Sequence, residues 1–233
     1  EDRPVIIFDQ LGSGRSGYHT DTTLLKVENF VEQVEALKTS LGLKEFYLHG
    51  HSWGTALALE YYLKYPKDIK AIIFNSPYFS TSLWKADADT LITTLPDSIQ
   101  LAIKTGEKNH DYGSPAYKNA NEVFYKNFGV RKTKLTSELD TSTAKGNEFI
   151  YNYMWGPTEF TAAGTLINYN RVQSLKTIKV PTLFITGEFD EARPVTVKYF
   201  QSLVPNSKFV MIDGAGHGTM HDNRRQNISA VKT

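Results

Sequence analysis

Apolar residues in this chain form short blocks that alternate with stretches of helical periodicity. Runs at Val5–Phe8, Phe46–His49 and Ile69–Phe74 are compact and rich in branched or aromatic side chains, as is typical of buried strands. Between them, Val27–Leu41 repeats apolar residues at spacings of three and four, and Thr55–Tyr65 continues as a helix up to a proline. This alternation predicts a mostly parallel sheet with flanking helices.

The pattern changes between residues 78 and 172, where helical patterns replace strands. They cover Thr81–Leu95 and Ser114–Phe128, and the second has a serine cap followed by a proline. A polar segment, Lys132–Asn147, precedes an aromatic cluster that we interpret as core rather than as substrate contacts. The cluster comprises Tyr151, Tyr153 and Trp155. We interpret residues 78–172 as a helical cap domain inserted over the sheet.

Strand patterns return after the cap, at Val180–Gly187 and Lys208–Ile212, and a helix is predicted over Pro194–Val204 between them. We therefore predict an α/β fold in which residues 1–77 and 173–233 form one core domain. The chain opens almost directly on a strand and ends in what resembles an interrupted helix. We expect further strands before the first residue and a longer helix after the last.

Composition narrows the classes of function that the chain can serve. Its 26 Lys and Arg residues balance 25 Asp and Glu, so no charge excess indicates a nucleic-acid or membrane partner. The absence of cysteine excludes disulfides, thiolate catalysis and cysteine-ligated metals. No apolar run approaches the roughly twenty residues of a membrane span, and we expect a soluble, cytoplasmic protein.

The sequence Gly50–Gly54 reads Gly-His-Ser-Trp-Gly and lies where a predicted strand meets its helix. A Gly-x-Ser-x-Gly pattern between strand and helix is typical of a nucleophile elbow, because glycine permits the tight turn and the close approach of the two elements. The pattern alone also occurs in ordinary glycine-rich turns, but here a predicted strand precedes it and a predicted helix follows it. Ser52 is therefore the leading nucleophile candidate.

A serine hydroxyl needs a base to take its proton and an acid to orient that base. In the α/β-hydrolase fold these groups occur in the order Ser, Asp or Glu, His, and Ser52, Asp190 and His217 have that order. Each of the last two follows a late strand, so both should reach the sheet edge that holds the elbow. Asp213 and His221 are the remaining rivals, and a purely structural His217 stays open. The predicted fold is thus the α/β-hydrolase fold.

Acyl transfer also requires backbone donors for the oxyanion of the tetrahedral intermediate. We expect one donor to be the N–H of Trp53, which directly follows the candidate nucleophile. The second belongs to a loop near the start of such folds that this sequence does not contain. Loss of one donor costs on the order of a hundredfold to a thousandfold in rate.

Four stretches carry more specific motifs: Phe8–Ser16, Gly50–Gly54, Trp155–Phe160 and Gly187–Glu191. Together they resemble the proline iminopeptidase (prolyl aminopeptidase) family of α/β-hydrolases. The resemblance implies a serine peptidase that releases an N-terminal residue, preferentially proline, from short peptides, without a cofactor or metal. The chain departs from the family pattern in lacking its His-Gly-Gly-Pro-Gly loop and in carrying Thr55 where glycine is frequent.

The resemblance also assigns individual residues. It gives Ser52, Asp190 and His217 to the catalytic triad. It gives Glu159, in the cap, and Glu191, beside the triad acid, to binding the free α-amino group of the substrate. The physical logic agrees, because a partly desolvated ammonium is favoured only beside carboxylates. Without the resemblance, both glutamates fit solvated surface charges.

Two other functions stay open on the same residues. An amino-acid amidase or esterase would use the same scaffold, because a fold does not determine a substrate. A catalytically silent fragment or binding module is the other alternative, and it would be inert to a fluorophosphonate probe at Ser52.

Overall fold

The computed structural model describes residues 4–132 and 144–232. The helices and strands, labelled in chain order, are α1 (Val27–Ser40), β1 (Phe46–His51), α2 (Trp53–Lys64), β2 (Ile69–Asn75), α3 (Thr81–Ile92), α4 (Asp97–Asn109), α5 (Pro115–Phe124), α6 (Glu148–Met154), β3 (Thr182–Gly187), α7 (Pro194–Ser202), β4 (Ser207–Ile212), α8 (Thr219–Asp222) and α9 (Arg224–Lys232). A π-helical turn, Tyr125–Gly129, continues α5, and short 3₁₀ helices lie at Thr22–Leu24 and Val172–Thr177. Within these ranges no helix is long and apolar enough to cross a bilayer.

The strands form one parallel sheet in the order β1-β2-β3-β4, which confirms the predicted sheet. In the register of the central strands, Phe74 lies opposite Gly50 on one side and Phe184 on the other. Because parallel strands run in one direction, their carboxyl ends meet at a single edge. The elbow and the loops after β2, β3 and β4 therefore converge there.

Both faces of the sheet are covered, which explains why its strands read as nearly continuous apolar runs. Phe74 and Phe184 join the main core, to which α1, α2 and α7 contribute. Ile185 and Ile212 point to the opposite face, where they pack in a smaller cluster with Ala230 of α9. Successive residues of a strand point to opposite sides, so each run supplies both cores.

The segment between β2 and β3 has an apolar cluster of its own, built by α3, α4, α5 and the turn after α5. Its buried members are Ala88, Leu95, Ile99, Ile103, Tyr117, Ala120, Phe124, Phe128 and Phe160. The helices predicted at Thr81–Leu95 and Ser114–Phe128 are confirmed, with α4 as an additional helix between them. Most of the polar segment Lys132–Asn147 lies outside the described residues. The division at 78 and 172 stays a prediction.

One expectation about apolar residues is wrong, and a second holds only in part. Val5–Phe8 forms no strand, and its side chains are exposed, Val5 by 82% and Ile7 by 89%. An apolar run becomes a buried strand only where neighbouring strands pair with it, and among the described residues β1 pairs with β2 alone. The aromatic cluster is only partly core: Trp155 is buried, whereas Tyr151 is 37% exposed.

The close approach of β1 and α2 allows no side chain at Gly50. A Cβ atom there would lie 2.2 Å from the carbonyl oxygen of Gly54 and 2.7 Å from the backbone nitrogen of Thr55. These are backbone atoms that cannot rotate aside, so we expect Gly50→Ala to lower the free energy of unfolding by about 3 kcal/mol or more.

Gly54→Ala is the matched control for this change. A Cβ at Gly54 meets nothing within 4 Å, so its effect on the free energy of unfolding should stay below about 1 kcal/mol. Urea unfolding of both variants, followed by circular dichroism, measures the difference. Equal losses would contradict the steric explanation.

Candidate active site

Ser52 occupies a strained turn between β1 and α2. Its φ of 55° and ψ of −125° lie outside the regions that residues with a side chain normally adopt. Two contacts hold this conformation: the Ser52 N–H donates to the carbonyl of Asn75 at 3.1 Å, and the hydroxyl of Thr55 donates to the Ser52 carbonyl at 2.7 Å. The departure at Thr55 from the family's frequent glycine thus supplies a hydrogen bond to the elbow.

Trp53 opens α2, so its N–H belongs to the first helical turn, which has no hydrogen-bond partner of its own within the helix. The indole Nε1 donates to Gln10 Oε1 at 3.3 Å, and the ring packs edge-on against Phe30. Beside them lies a cavity of about 430 Å³ that is also lined by Ser52. This arrangement places a backbone donor with no partner within its helix directly next to the candidate nucleophile.

Asp190 is 1% exposed and lies in the loop after β3. Its carboxylate accepts four hydrogen bonds, from the Ala192 N–H and His217 Nδ1 to Oδ1, and from the Gly187 N–H and the Ser76 hydroxyl to Oδ2. The Thr186 hydroxyl also lies 3.1 Å from Oδ2, but its single proton goes to the Ala192 carbonyl at 2.8 Å. Burial alone would raise the pKa of Asp190, but the charge of His217 and these donors lower it below its ordinary value. The carboxylate is therefore ionised and fixed in orientation.

His217 lies in the loop after β4, and its Nδ1 is 2.8 Å from Asp190 Oδ1. Its N–H donates to the carbonyl of Phe128, and its ring packs edge-on against Trp84 of α3, so the cap segment contacts it directly. Its Nε2 is buried without a hydrogen-bond partner in the described ranges. Burial lowers the pKa of His217, but the charges of Asp190 and Glu191 outweigh this and raise it to about 9.

His51 holds the backbone of His217. Its Nε2 lies 2.9 Å from the His217 carbonyl oxygen, and because a carbonyl only accepts, Nε2 carries the proton. The two rings lie 4.7 Å apart. Burial, and next the charge of His217, lower the pKa of His51 to about 3, so this side chain stays neutral at physiological pH.

Asp190 and Asp213, the two candidate acids, differ in their contacts with His217. Asp213 is exposed, and its backbone is bound to Gln226 and Asn223, whereas Asp190 contacts the imidazole directly. The N–H of His221 is held in the short helix α8 by Gly218. Asp190 and His217 are thus brought together as the order of the residues predicted.

Glu159 and Glu191 form an acidic pair beside this dyad. Glu191 is 2% exposed, its Oε1 has no hydrogen-bond partner among the residues described, and that atom lies 3.8 Å from His217 Nδ1. Burial, reinforced by the charge of Glu159, raises the pKa of Glu191 well above its usual range. Glu159 lies in a tight turn closed by Thr158 and Thr161, and its carbonyl accepts from Trp84 Nε1 at 2.9 Å.

Two tyrosines that the sequence analysis did not assign to the site stand next to this pair. Burial, the charge of Glu159 and a hydrogen bond to it raise the pKa of Tyr151 well above its ordinary value. Burial and the charges of Glu159 and Glu191 raise that of Tyr125. Both hydroxyls therefore stay protonated. The sequence offers one signal for Tyr151, its place in the aromatic cluster with Trp155. That cluster is interpreted as core in the sequence analysis, so the signal does not assign Tyr151 to the site.

Comparison with known proteins places this geometry in a family. A family model described as the alpha/beta hydrolase fold matches residues 1–224. A proline iminopeptidase of Heyndrickxia coagulans is 42% identical over 218 residues, which cover 93% of this chain and 76% of that protein. One of Lactobacillus helveticus is 35% identical over 232 residues, covering 99% of this chain and 79% of that protein. The chain belongs to the proline iminopeptidase family of α/β-hydrolases.

Solved structures agree with this assignment. The crystal structure of proline iminopeptidase from Mycobacterium smegmatis matches with a TM-score of 0.86 and 27% identity, covering 96% of this chain and 76% of that one. VinJ matches with a TM-score of 0.90 at 24% identity, over 96% of this chain and 77% of its own, and shows the fold alone. The predicted α/β-hydrolase fold and family are confirmed, and this proline iminopeptidase family member is a serine hydrolase with an aminopeptidase role.

The pKa of His217 provides a test of the dyad. Asp190→Asn keeps the shape of the side chain but removes the negative charge, so burial should dominate and the pKa of His217 should fall by at least two units from about 9. Titration of the histidine ring signals by NMR measures it. His51, which should show no titration between pH 5 and 9 in either protein, is the internal control. An unchanged His217 titration would contradict the assigned pairing.

Proposed function

We propose that this proline iminopeptidase family member is a serine exopeptidase that releases an N-terminal residue, preferentially proline, from short peptides through an acyl-enzyme intermediate. The observation that carries the proposal is the Glu159–Glu191 pair, held next to His217 with one buried carboxyl oxygen unpartnered. A free α-ammonium group supplies positive charge and hydrogen-bond donors to this pair. The names of the relatives in the family point to the same substrate class.

The reaction begins when Ser52 Oγ bonds to the carbonyl carbon of the first residue. Its proton passes to Nε2 of the neutral His217 ring, a form that becomes populated as the pH approaches the His217 pKa of about 9. In the described ranges this buried atom has no hydrogen-bond partner. Asp190 keeps the other ring proton on Nδ1, so Nε2 is the basic nitrogen. The carboxylate of Asp190 also stabilises the imidazolium that forms. The N–H of Trp53 donates to the oxyanion.

Collapse of the tetrahedral intermediate breaks the peptide bond. His217 gives its proton to the leaving amine, and the first residue remains esterified to Ser52. Water then attacks the ester, again with His217 as base, which releases the free amino acid and restores the hydroxyl. The carboxylates of Glu159 and Glu191 fix the ammonium throughout, so only the bond one residue from the amino terminus reaches Ser52.

The free amine is the feature of the substrate to test first. Proline anilide and N-acetyl-proline anilide present the same scissile bond, but only the first carries an ammonium group. We expect cleavage of the free amine to be at least a hundredfold faster, and cleavage of both to be abolished in Ser52→Ala. Initial rates of aniline release measure both. Equal Ser52-dependent rates for the two substrates would contradict the proposed binding site for the α-ammonium group and would favour an amidase or esterase.

The charge on Glu191 is the second target. Glu191→Gln keeps the volume but leaves the ammonium without its buried counter-charge, so kcat/KM for proline anilide should fall by about a hundred- to a thousandfold. The preference over the N-acetyl substrate should shrink in parallel.

The matched control is Glu122→Gln, which makes the same change at an exposed position on α5 of the cap. Its kcat/KM should stay within about twofold of the unaltered protein, because a solvated charge contributes little. A similar loss in both variants would show that net charge, rather than the acidic pair, controls the rate.

A further inference from the structure

We propose that Ser76 is a positioning residue of this active site: its buried hydroxyl, donated from the end of β2, fixes the carboxylate of Asp190 so that Oδ1 faces His217. The inference rests on the proposed function, since it adds a residue to the triad assigned there. Ser76 lies outside every motif that carries the family resemblance, and its partner Asp190 is 114 positions away in the chain.

The backbone of Ser76 adopts an unfavourable conformation in this position. The residue is fully buried, and its φ of 51° is in the left-handed region that disfavours residues with a side chain. Its N–H donates to the carbonyl of Ile185 on β3 at 2.8 Å, which ties the turn to the strand that precedes Asp190. Glycine would adopt this conformation more readily, so the hydroxyl is the feature that serine adds.

The direction of the Ser76 hydrogen bond follows from counting protons. Three oxygens that can only accept surround its hydroxyl: Asp190 Oδ2 at 2.6 Å, the His217 carbonyl at 3.1 Å and Asn75 Oδ1 at 3.4 Å. The hydroxyl has one proton to donate. The His217 carbonyl already accepts two hydrogen bonds, from His51 Nε2 and from the Thr219 N–H, and the contact to Asn75 Oδ1 is the longest of the three. The proton of Ser76 therefore goes to Asp190, in the shortest of the three contacts and a charge-assisted bond.

This contact holds Asp190 from a second strand. The Gly187 N–H binds Oδ2 from the end of β3, on the chain segment of Asp190 itself, whereas Ser76 reaches it from the turn directly after β2. The preceding residue, Asn75, accepts the N–H of Ser52 through its carbonyl. Two consecutive residues at the end of β2 thus contact the elbow and the triad acid, and they set the distance between them.

The experiment compares Ser76→Ala, which removes the hydroxyl, with Ser76→Gly, which also relieves the positive φ and therefore protects folding. Ser80→Ala is the matched control, because Ser80 is another buried serine whose hydroxyl caps α3 and has no contact with Asp190. Measurements are kcat and KM for proline anilide, the pH profile of kcat/KM, the urea unfolding curve and the NMR titration of His217.

We expect both Ser76 variants to lose about ten- to a hundredfold in kcat with KM within twofold, whereas Ser80→Ala keeps kcat. Loss of a donor concentrates charge on Asp190, so imidazolium is held more strongly. The acidic limb of kcat/KM and the titration of His217 should both move to higher pH by at least half a unit.

A purely structural Ser76 would behave like Ser80: stability falls, while kcat, the pH profile and the His217 titration stay unchanged, and that result would overturn the proposal. The NMR titration does not require turnover. If the unaltered protein fails to cleave proline anilide, the proposed function fails, yet a shift of the His217 titration in the Ser76 variants would still support the positioning role and its absence would refute it.

Discussion

The buried negative charge of Asp190 is the constraint on which this site depends. A carboxylate removed from water is tolerated only if donors replace its hydration. Here the donors come from the ends of both inner strands, from the loop after β3 and from the loop after β4. Satisfying one side chain therefore fixes three segments relative to one another. The geometry around the nucleophile follows from this requirement, because the strand end that supplies Ser76 also holds the elbow.

Neighbouring residues in this loop show how environment decides charge. Asp190 and Glu191 are adjacent in sequence and almost equally buried, yet their pKa values shift in opposite directions. The difference lies in the partners. Asp190 accepts four hydrogen bonds, one of them from the His217 imidazole at 2.8 Å. Glu191 has an oxygen without a hydrogen-bond partner among the described residues, 3.8 Å from the same ring, and it faces a second carboxyl group. One carboxyl group is thus fully hydrogen-bonded within the protein, and the other keeps an acceptor oxygen without a donor among the described residues.

Local patterns predicted much of this fold, and their failures have a common cause. The elbow, the strands and the order Ser52, Asp190, His217 were readable because each depends on residues close in sequence or on chain order. Val5–Phe8 was misjudged because a strand is defined by its neighbours as well as by its own residues. The Glu159–Glu191 pair was foreseen only through resemblance, and Tyr151 was missed. Such contacts join distant segments, and no periodicity marks them.

The bond between His51 and the carbonyl of His217 spans 166 positions, which bears on how the protein is made. The elbow precedes the loop after β4 by more than 160 residues, and contacts of such separation close late in folding because of their entropic cost. A nascent or truncated chain carries the serine without its base. Ser52 and His217 can come together only after the loop after β4 has been made.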